Sequence, residues 1–530
     1  MSQLADHEDS KSRVEMVEAL SNASDDKINT GDGTINLFHD GSMVLVPTPS
    51  ADPKDPLNLP IWHKSLIIFL VGAYSAIGVL GTSGLGAVMP SVFQAYPNDD
   101  PARVTDLVTY PTLFMGIGNL VSMPLTLTIG RRPVFLFSLI LLVVTGIWCA
   151  FSTSLSSHIA GRNFFSMAAG QSEALAPFIV EEIHFLHERS SKLSWFIGVQ
   201  TVGTAAMFVM TAYVVPPLGL KWWYLILTFL SLGTLILSIF FVVETMYDRN
   251  VVEEDGPSSE CKPAAGERRT LRPDIFGERT LRHDLKVFHH KPVWSRMVDF
   301  YIDTAKGFFI PTIFWILLFN GAFLGVYIYQ ASTFATILTM PPYNFAFDLL
   351  GWVQIFQIAV VMVLIPGLGY GTDLITKYLS RKQGGVFKPE FRLISLIIPT
   401  VMTVLGCVIY GQTGAHPTEY HWMGIAAPFH MCYLGFLTGN LIGITYAIDA
   451  FPEKAGARLM VICVGRGFIS FGLSYSTVPA IEATGYDGAM NILAGIVGGL
   501  MLLGIPMYIL GPRIRKWSVK TLWPALAEKN

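Results

Sequence analysis

The stretch "AGRNFFSMAAGQSEALAP", residues 160 to 177, lies where a bilayer-crossing chain would place hydrocarbon, yet it carries Arg162 and Glu173. An ionised side chain facing lipid costs roughly 3 kcal/mol or more, so the face that bears it must look into a helix bundle or a water-filled cavity. The two charges are eleven residues apart, which at 100° per residue is three turns plus about 20°. On a straight helix they share one face at a separation of about 16 Å, too far to pair, and line the same wall.

Composition supports a membrane setting. Of 530 residues, 52% are hydrophobic and only 14% charged, and the mean hydropathy is positive, too apolar a balance for a soluble surface. Cys149, Cys407, Cys432 and Cys463 sit in apolar runs and Cys261 in a polar loop, which is no disulfide framework. A helix needs about 20 apolar residues to cross the hydrocarbon core. Twelve such runs are readable, near 65–90, 105–127, 133–152, 157–181, 193–215, 222–243, 308–332, 350–368, 392–411, 420–447, 457–479 and 488–511. The second and fourth are interrupted by Pro, Gly and polar residues. The fold class predicted is an all-α membrane protein.

Lys and Arg set the orientation. One set of connections holds Arg131, Arg132, Arg189, Lys192, Lys377, Arg381, Lys382, Lys388, Lys454, Arg458, Arg513, Arg515 and Lys516, whereas the other holds only Arg103 and Lys221. The first set and both termini are therefore expected in the cytosol. The polar first 60 residues lack the apolar core of a signal peptide, and the sequon Asn22-Ala-Ser24 falls in this cytosolic tail and is read as chance. The organisation expected is a tail over 1–64, a six-helix bundle over 65–244, a cytosolic loop over 245–307, a second bundle over 308–511 and a tail over 512–530. The loop mixes Arg268, Arg269 and Arg272 with Asp274 and Glu278; it reads as a solvated spacer, with an interfacial helix the alternative around "RHDLKVFHHKPVWSRM" (282–297).

Six segments now carry a resemblance. "GRRPVFLF" (130–137) looks like the loop motif of the major facilitator superfamily, and "VLVPTPSADPKDPLNLPIWHK" (44–64) resembles the pre-membrane segment of its fungal drug:proton antiporter-like branch. "VEEIHFLHERS" (180–190), "FVVETMYDR" (241–249), "GVFKPEFRL" (385–393) and "YAIDAFPEKAG" (446–456) are similar to segments of that branch in the same order. The resemblance implies the major facilitator fold, two pseudo-symmetric six-helix bundles rocking about a central cavity. It also implies that the loop at Gly130, Arg131 and Arg132 latches one conformation, although Leu127 and Thr128 stand where acidic and basic residues usually precede the glycine. Asp373 is the counterpart in the second half, and Asp449 a further cytosolic gating candidate.

By the same resemblance Arg162 matches the fourth-helix arginine implicated in proton coupling, with Ser166 and Ala168 replacing glycines and a positional anchor the equal alternative, and Glu173 falls where many members of the branch carry Glu. A carboxyl poised between desolvation and a nearby cation can exchange a proton as a cavity opens to alternate sides; a structural carboxylate bonded across a helix interface is the plainer alternative. Arg466 matches an arginine common in the branch, with Gly467 where Asn is usual, and helix packing explains it equally well. The cavity-lining candidates are Gln200, Asn320, Tyr327, Gln330, Gln354, Gln357, His430, Asn440 and Tyr475, each of which would otherwise bridge helices. Met207 and Phe208 occupy the positions where antiporters carry a Gly-Pro pair, which leaves the direction of transport open.

Other classes fit poorly. His184 with His187 and His289 with His290 are too few for a membrane di-iron enzyme, and no Gly-Lys-Ser/Thr loop supports ATP hydrolysis. The expected function is proton-coupled export of a small organic compound, drug-like or a secondary metabolite. Proton-driven uptake of a cationic or nitrogenous solute such as a polyamine is the alternative, and a substrate sensor on the same fold comes third. The expected partners are a small-molecule substrate, protons and lipid, with no nucleic acid, metal or cofactor. The chain is expected to be monomeric and multi-pass, in the plasma membrane or an internal one.

Overall fold

The computed structural model describes residues 49–523 except 186–187, 248–270, 290, 384–385 and 452–454, together with short strand pieces between 29 and 43. The Asn22 sequon, His187, Cys261, Arg268, Arg269, His290 and Lys454 lie outside the described residues, as do the side chains of Gln354 and Gln357.

In lipid every backbone N–H and C=O must be satisfied within the chain, so each apolar run folds as helix. The first half comprises α1 (Ile61–Ser83), α2 (Pro101–Ile129), α3 (Arg131–Ala150), the pair α4 (Leu155–Ala169) and α5 (Leu175–Glu182), and α6 (Arg189–Phe241). After an amphipathic α7 (Ser295–Phe308) come α8 (Pro311–Thr339), α9 (Phe347–Lys382), α10 (Ile397–Ala415), α11 (Met423–Ala450) and α12 (Ala455–Leu522). Two of these pass the membrane twice. α6 turns at Gly219, with φ +80°, and α12 at Gly485, with φ +73°, the left-handed backbone that a residue without Cβ adopts freely. Among the described residues twelve traverses result, six in each bundle. Ten segments among the described residues are long and apolar enough to cross a membrane; α4–α5 and α9 complete the set.

The fourth traverse departs from the straight helix expected of it. A 3-10 turn over Gly170–Ser172 separates α4 from α5, so the face carrying Arg162 does not continue to Glu173. Pro111 and Pro124, by contrast, leave α2 one helix, because neighbouring helices re-satisfy the freed carbonyls. The amphipathic helix of the central loop lies later than 282–297, over Ser295–Phe308, since Pro292 resists continuation of a helix through it. It buries Phe300, Asp303, Thr304 and Gly307 and exposes Val298 and Ile302. Its Tyr301 hydroxyl donates to Leu120 O of α2 at 3.0 Å, and Arg458 Nη1 of α12 donates to Asp303 O at 3.0 Å. It thus bridges the bundles beneath the membrane. Outward-facing apolar side chains such as Phe229, Ile236 and Phe240 of α6 and Leu502, Ile505 and Ile509 of α12 are exposed, as contact with lipid tails requires.

From residue 49 on, the pre-membrane segment is folded onto the end of the first bundle at which α1 begins. Asp55 accepts from Leu57 N at 2.9 Å and from Ser50 N at 3.0 Å, and Asp52 Oδ2 accepts from the Tyr247 hydroxyl at 3.0 Å. Burial pushes the Tyr247 phenol up to about 12, so it stays a donor. Two of the six segments that carry the resemblance, 44–64 and 241–249, therefore belong to one contact.

Candidate functional site

Between the bundles lies a cavity of about 890 Å³, in the range of small-molecule sites. Its lining runs from Glu173, Pro177 and Ile444 to Ser91, Gln94, Thr105, Thr336 and Tyr486, the outer ends of their helices by the charge-derived orientation. None of Gly130, Arg131, Arg132, Asp373 and Asp449 contributes to it. With that orientation the cavity faces away from the cytosol.

Among the described lining residues only Glu173, Arg466 and Glu482 carry charge. Glu173 Oε1 lies 2.6 Å from Arg466 Nη2, joining the fourth traverse to the eleventh across the bundle interface. The Arg466 side chain is 2% exposed and that of Glu173 17%. Nη1 of Arg466 also donates to Asn440 Oδ1 of α11, its guanidinium lies 5.6 Å from the centre of the Phe436 ring, and the Cys463 thiol donates to Glu173 O at 3.3 Å. Pairing a buried charge in this way offsets the desolvation of both partners, and removing either leaves the other uncompensated. Tyr327 forms the side wall, its ring 4.8 Å from Tyr433 and 5.7 Å from Phe429. Gln200 and Asn440 line the cavity as expected, and Glu482 stands exposed at its mouth.

The remaining candidates lie elsewhere. Arg162 is buried within the first bundle, where Nε, Nη1 and Nη2 donate to Leu107 O at 2.6 Å, the Tyr224 hydroxyl at 2.9 Å and Thr82 O at 2.8 Å. Tyr224 also lies 2.7 Å from His158 Nε2, whose Nδ1 is 2.9 Å from the Tyr96 hydroxyl. Asn320 is wholly buried with neither amide atom hydrogen-bonded, facing Gly443 across α11. Gln330 Nε2 points at Cys432 Sγ, 3.3 Å away. His430 sits between Ala426 O at 2.6 Å and Val353 O at 3.1 Å, bridging α11 and α9. Tyr475 is exposed and outside the cavity lining.

The cytosolic charges form one cluster in each bundle. Arg131 grips Glu182 at the end of α5 in a forked pair, Nη2–Oε1 2.6 Å and Nε–Oε2 3.2 Å. The carboxylate of Glu244 caps α3, accepting from Arg131 N at 3.0 Å and Arg132 N at 3.3 Å, which suits the positive end of a helix. The Arg132 guanidinium closes the C-terminal carbonyl of Ile239 at 2.6 Å and the loop carbonyl of Lys286 at 2.7 Å. In the second bundle Arg392 bonds Asp449 at 2.6 Å and Asp373 at 3.4 Å. His184, after α5, donates from Nδ1 to Val180 O, 2.7 Å away; burial pushes its imidazole down to about 4, so it is neutral at cytosolic pH. Gly130 precedes α3 with φ +112°, and a Cβ there would run into the Glu244 carboxylate. Gly130→Ala is expected to cost about 1–3 kcal/mol of stability, measured as a lower thermal midpoint of the purified protein.

The sequence reading did not single out Glu482, Glu182, Glu244 or Arg392 as site residues. An exposed acid in an outer connection, or a charge near a headgroup, carries no intrinsic signal of function.

The sequence matches the family described as Major Facilitator Superfamily over residues 71–462. It is 25% identical to the MFS-type transporter atr4 of Stereocaulon alpinum over 89% of this chain and 82% of that one. It is 21% identical to the efflux pump radE of Floropilus chiversii over 88% and 83%. The solved structure of the proton:xylose symporter XylE bound to 6-bromo-6-deoxy-D-glucose is similar with a TM-score of 0.57 at 13% identity, covering 85% of this chain and 95% of that one, a likeness of fold. The family match begins inside the first traverse and ends inside the eleventh, so this chain belongs to the major facilitator superfamily, whose members carry solutes across membranes and are not enzymes.

Proposed function

We propose that this transporter exports a small organic compound, drug-like or a secondary metabolite, in exchange for protons, by alternating access of the central cavity across the plasma membrane. The observation that carries this reading is the Glu173–Arg466 pair of 2.6 Å between the two bundles. A pair that joins them opposes any rocking motion that separates its partners. A proton entering the outward-facing cavity neutralises Glu173 and frees Arg466; cytosolic opening then lets the proton leave and the substrate enter beside the carboxylate. Apolar and aromatic walls such as Phe196, Phe208, Tyr327 and Phe429 suit an apolar ligand with few polar groups. The efflux pump named among the relatives supports the direction.

Uptake of a cationic or nitrogenous solute is the second reading, favoured by the acid Glu482, exposed at the mouth of the cavity. A ring such as Tyr327 also attracts a cation. Both are tested by comparing small-molecule profiles inside and outside cells that express or lack the chain, across a pH step. Export predicts a compound trapped inside deficient cells. A compound that stays outside them and enters only expressing cells replaces export with uptake, and identical profiles contradict both.

A further inference from the structure

Glu181, in the last turn of α5, is 3% exposed, and neither of its carboxyl oxygens has a hydrogen-bond partner. Its neighbour Glu182 is fully engaged, by Arg131 and by the Thr245 hydroxyl at 2.5 Å. Successive helical residues point about 100° apart, so Glu181 faces a different direction, towards the second bundle. The charged groups whose fields reach it are Arg189 at the start of α6, Glu182 on its own helix, Asp449 at the end of α11 and Arg392 before α10. The guanidinium of Arg392 is committed to Asp449 and Asp373. On α1, Lys64 Nζ donates to Leu57 O at 2.9 Å, and on α3 Arg131 is held by Glu182. A carboxylate without donors in a closed seam is the costly form, and the neutral acid tolerates burial.

We propose that Glu181 is a second proton-binding carboxyl, at the cytosolic seam between the bundles, which holds a proton while that seam is closed and loses it to water when the seam opens. This deepens the proton-coupled reading of the central cavity and rests on it for the proton's part in the cycle. The two sites then lie along one traverse, Glu173 exposed to the outer cavity and Glu181 released to the cytosol, so that closing the cytosolic side is favoured by acid.

The test is the thermal midpoint of the purified full chain in lipid nanodiscs across pH, for the wild type, Glu181→Gln and Glu173→Gln. The folded wild type binds a proton at Glu181 that the unfolded chain has already released. Its stability therefore falls as pH rises through this window. Glu181→Gln keeps the neutral shape, so it is expected to match the wild type near pH 5 and to exceed it by several degrees at high pH. Glu173→Gln is expected to fall with rising pH in the same direction as the wild type, which separates failure at the seam from failure at the cavity. If Glu181→Gln tracks the wild type at every pH, or is less stable at every pH, Glu181 binds no such proton.

Discussion

Glu173→Gln is expected to abolish pH-driven flux while leaving the protein folded and at the cell surface. The amide is close in shape to the carboxyl, so the cavity floor keeps its packing, but it neither titrates nor offsets the charge of Arg466. An unpaired buried guanidinium costs about 3–5 kcal/mol, and about 1.4 kcal/mol is a factor of ten. The conformation that buries Arg466 should thus form more than tenfold less readily, and net transport should lose its dependence on the proton gradient. Flux measured against surface expression checks this. Unchanged pH-dependent flux would remove Glu173 from the mechanism, and with it the significance of its 2.6 Å pair.

Arg162→Met is expected to fail in a different way, by loss of folded protein. The Arg162 guanidinium ties α4 to α2 through Leu107 O, to α1 through Thr82 O and to the second pass of α6 through Tyr224. Hydrogen bonds from a charged donor contribute about 1.5–3 kcal/mol each, so removing three costs on the order of 5 kcal/mol. The yield of folded protein and its thermal midpoint should both drop, with Arg162→Lys intermediate because an ammonium lacks the planar fork that reaches three acceptors. Arg162→Met that folds normally but transports nothing would instead make Arg162 a coupling residue. These contacts support an anchoring role.

The contrast between these two residues shows what the sequence could and could not reveal. Both were legible as costly intramembrane charges, and Gly130-Arg131-Arg132 as a cytosolic turn. The apolar runs gave the traverses. The break at Gly170–Ser172 was not legible, because hydropathy does not distinguish one 3-10 turn from the helix around it. With the break unseen, Arg162 and Glu173 were assigned to one wall, whereas Arg162 faces the inside of its bundle and Glu173 the cavity. The Glu173–Arg466 pair was also out of reach, since helical spacing orders residues along one helix and says nothing of which distant helix lies opposite. Asn320, Gln330 and His430 share the polar, intramembrane character of Gln200 and Asn440, yet they point into the second bundle rather than into the cavity. Only packing separates those cases.

The central claim is that a proton gradient drives transport through this cavity. It is tested most directly by flux of the compound identified by profiling, in vesicles that carry the protein and an imposed pH gradient, before and after a proton ionophore collapses it. Net transport that stops on collapse is the predicted result. Net transport that continues undiminished without the gradient would contradict the account.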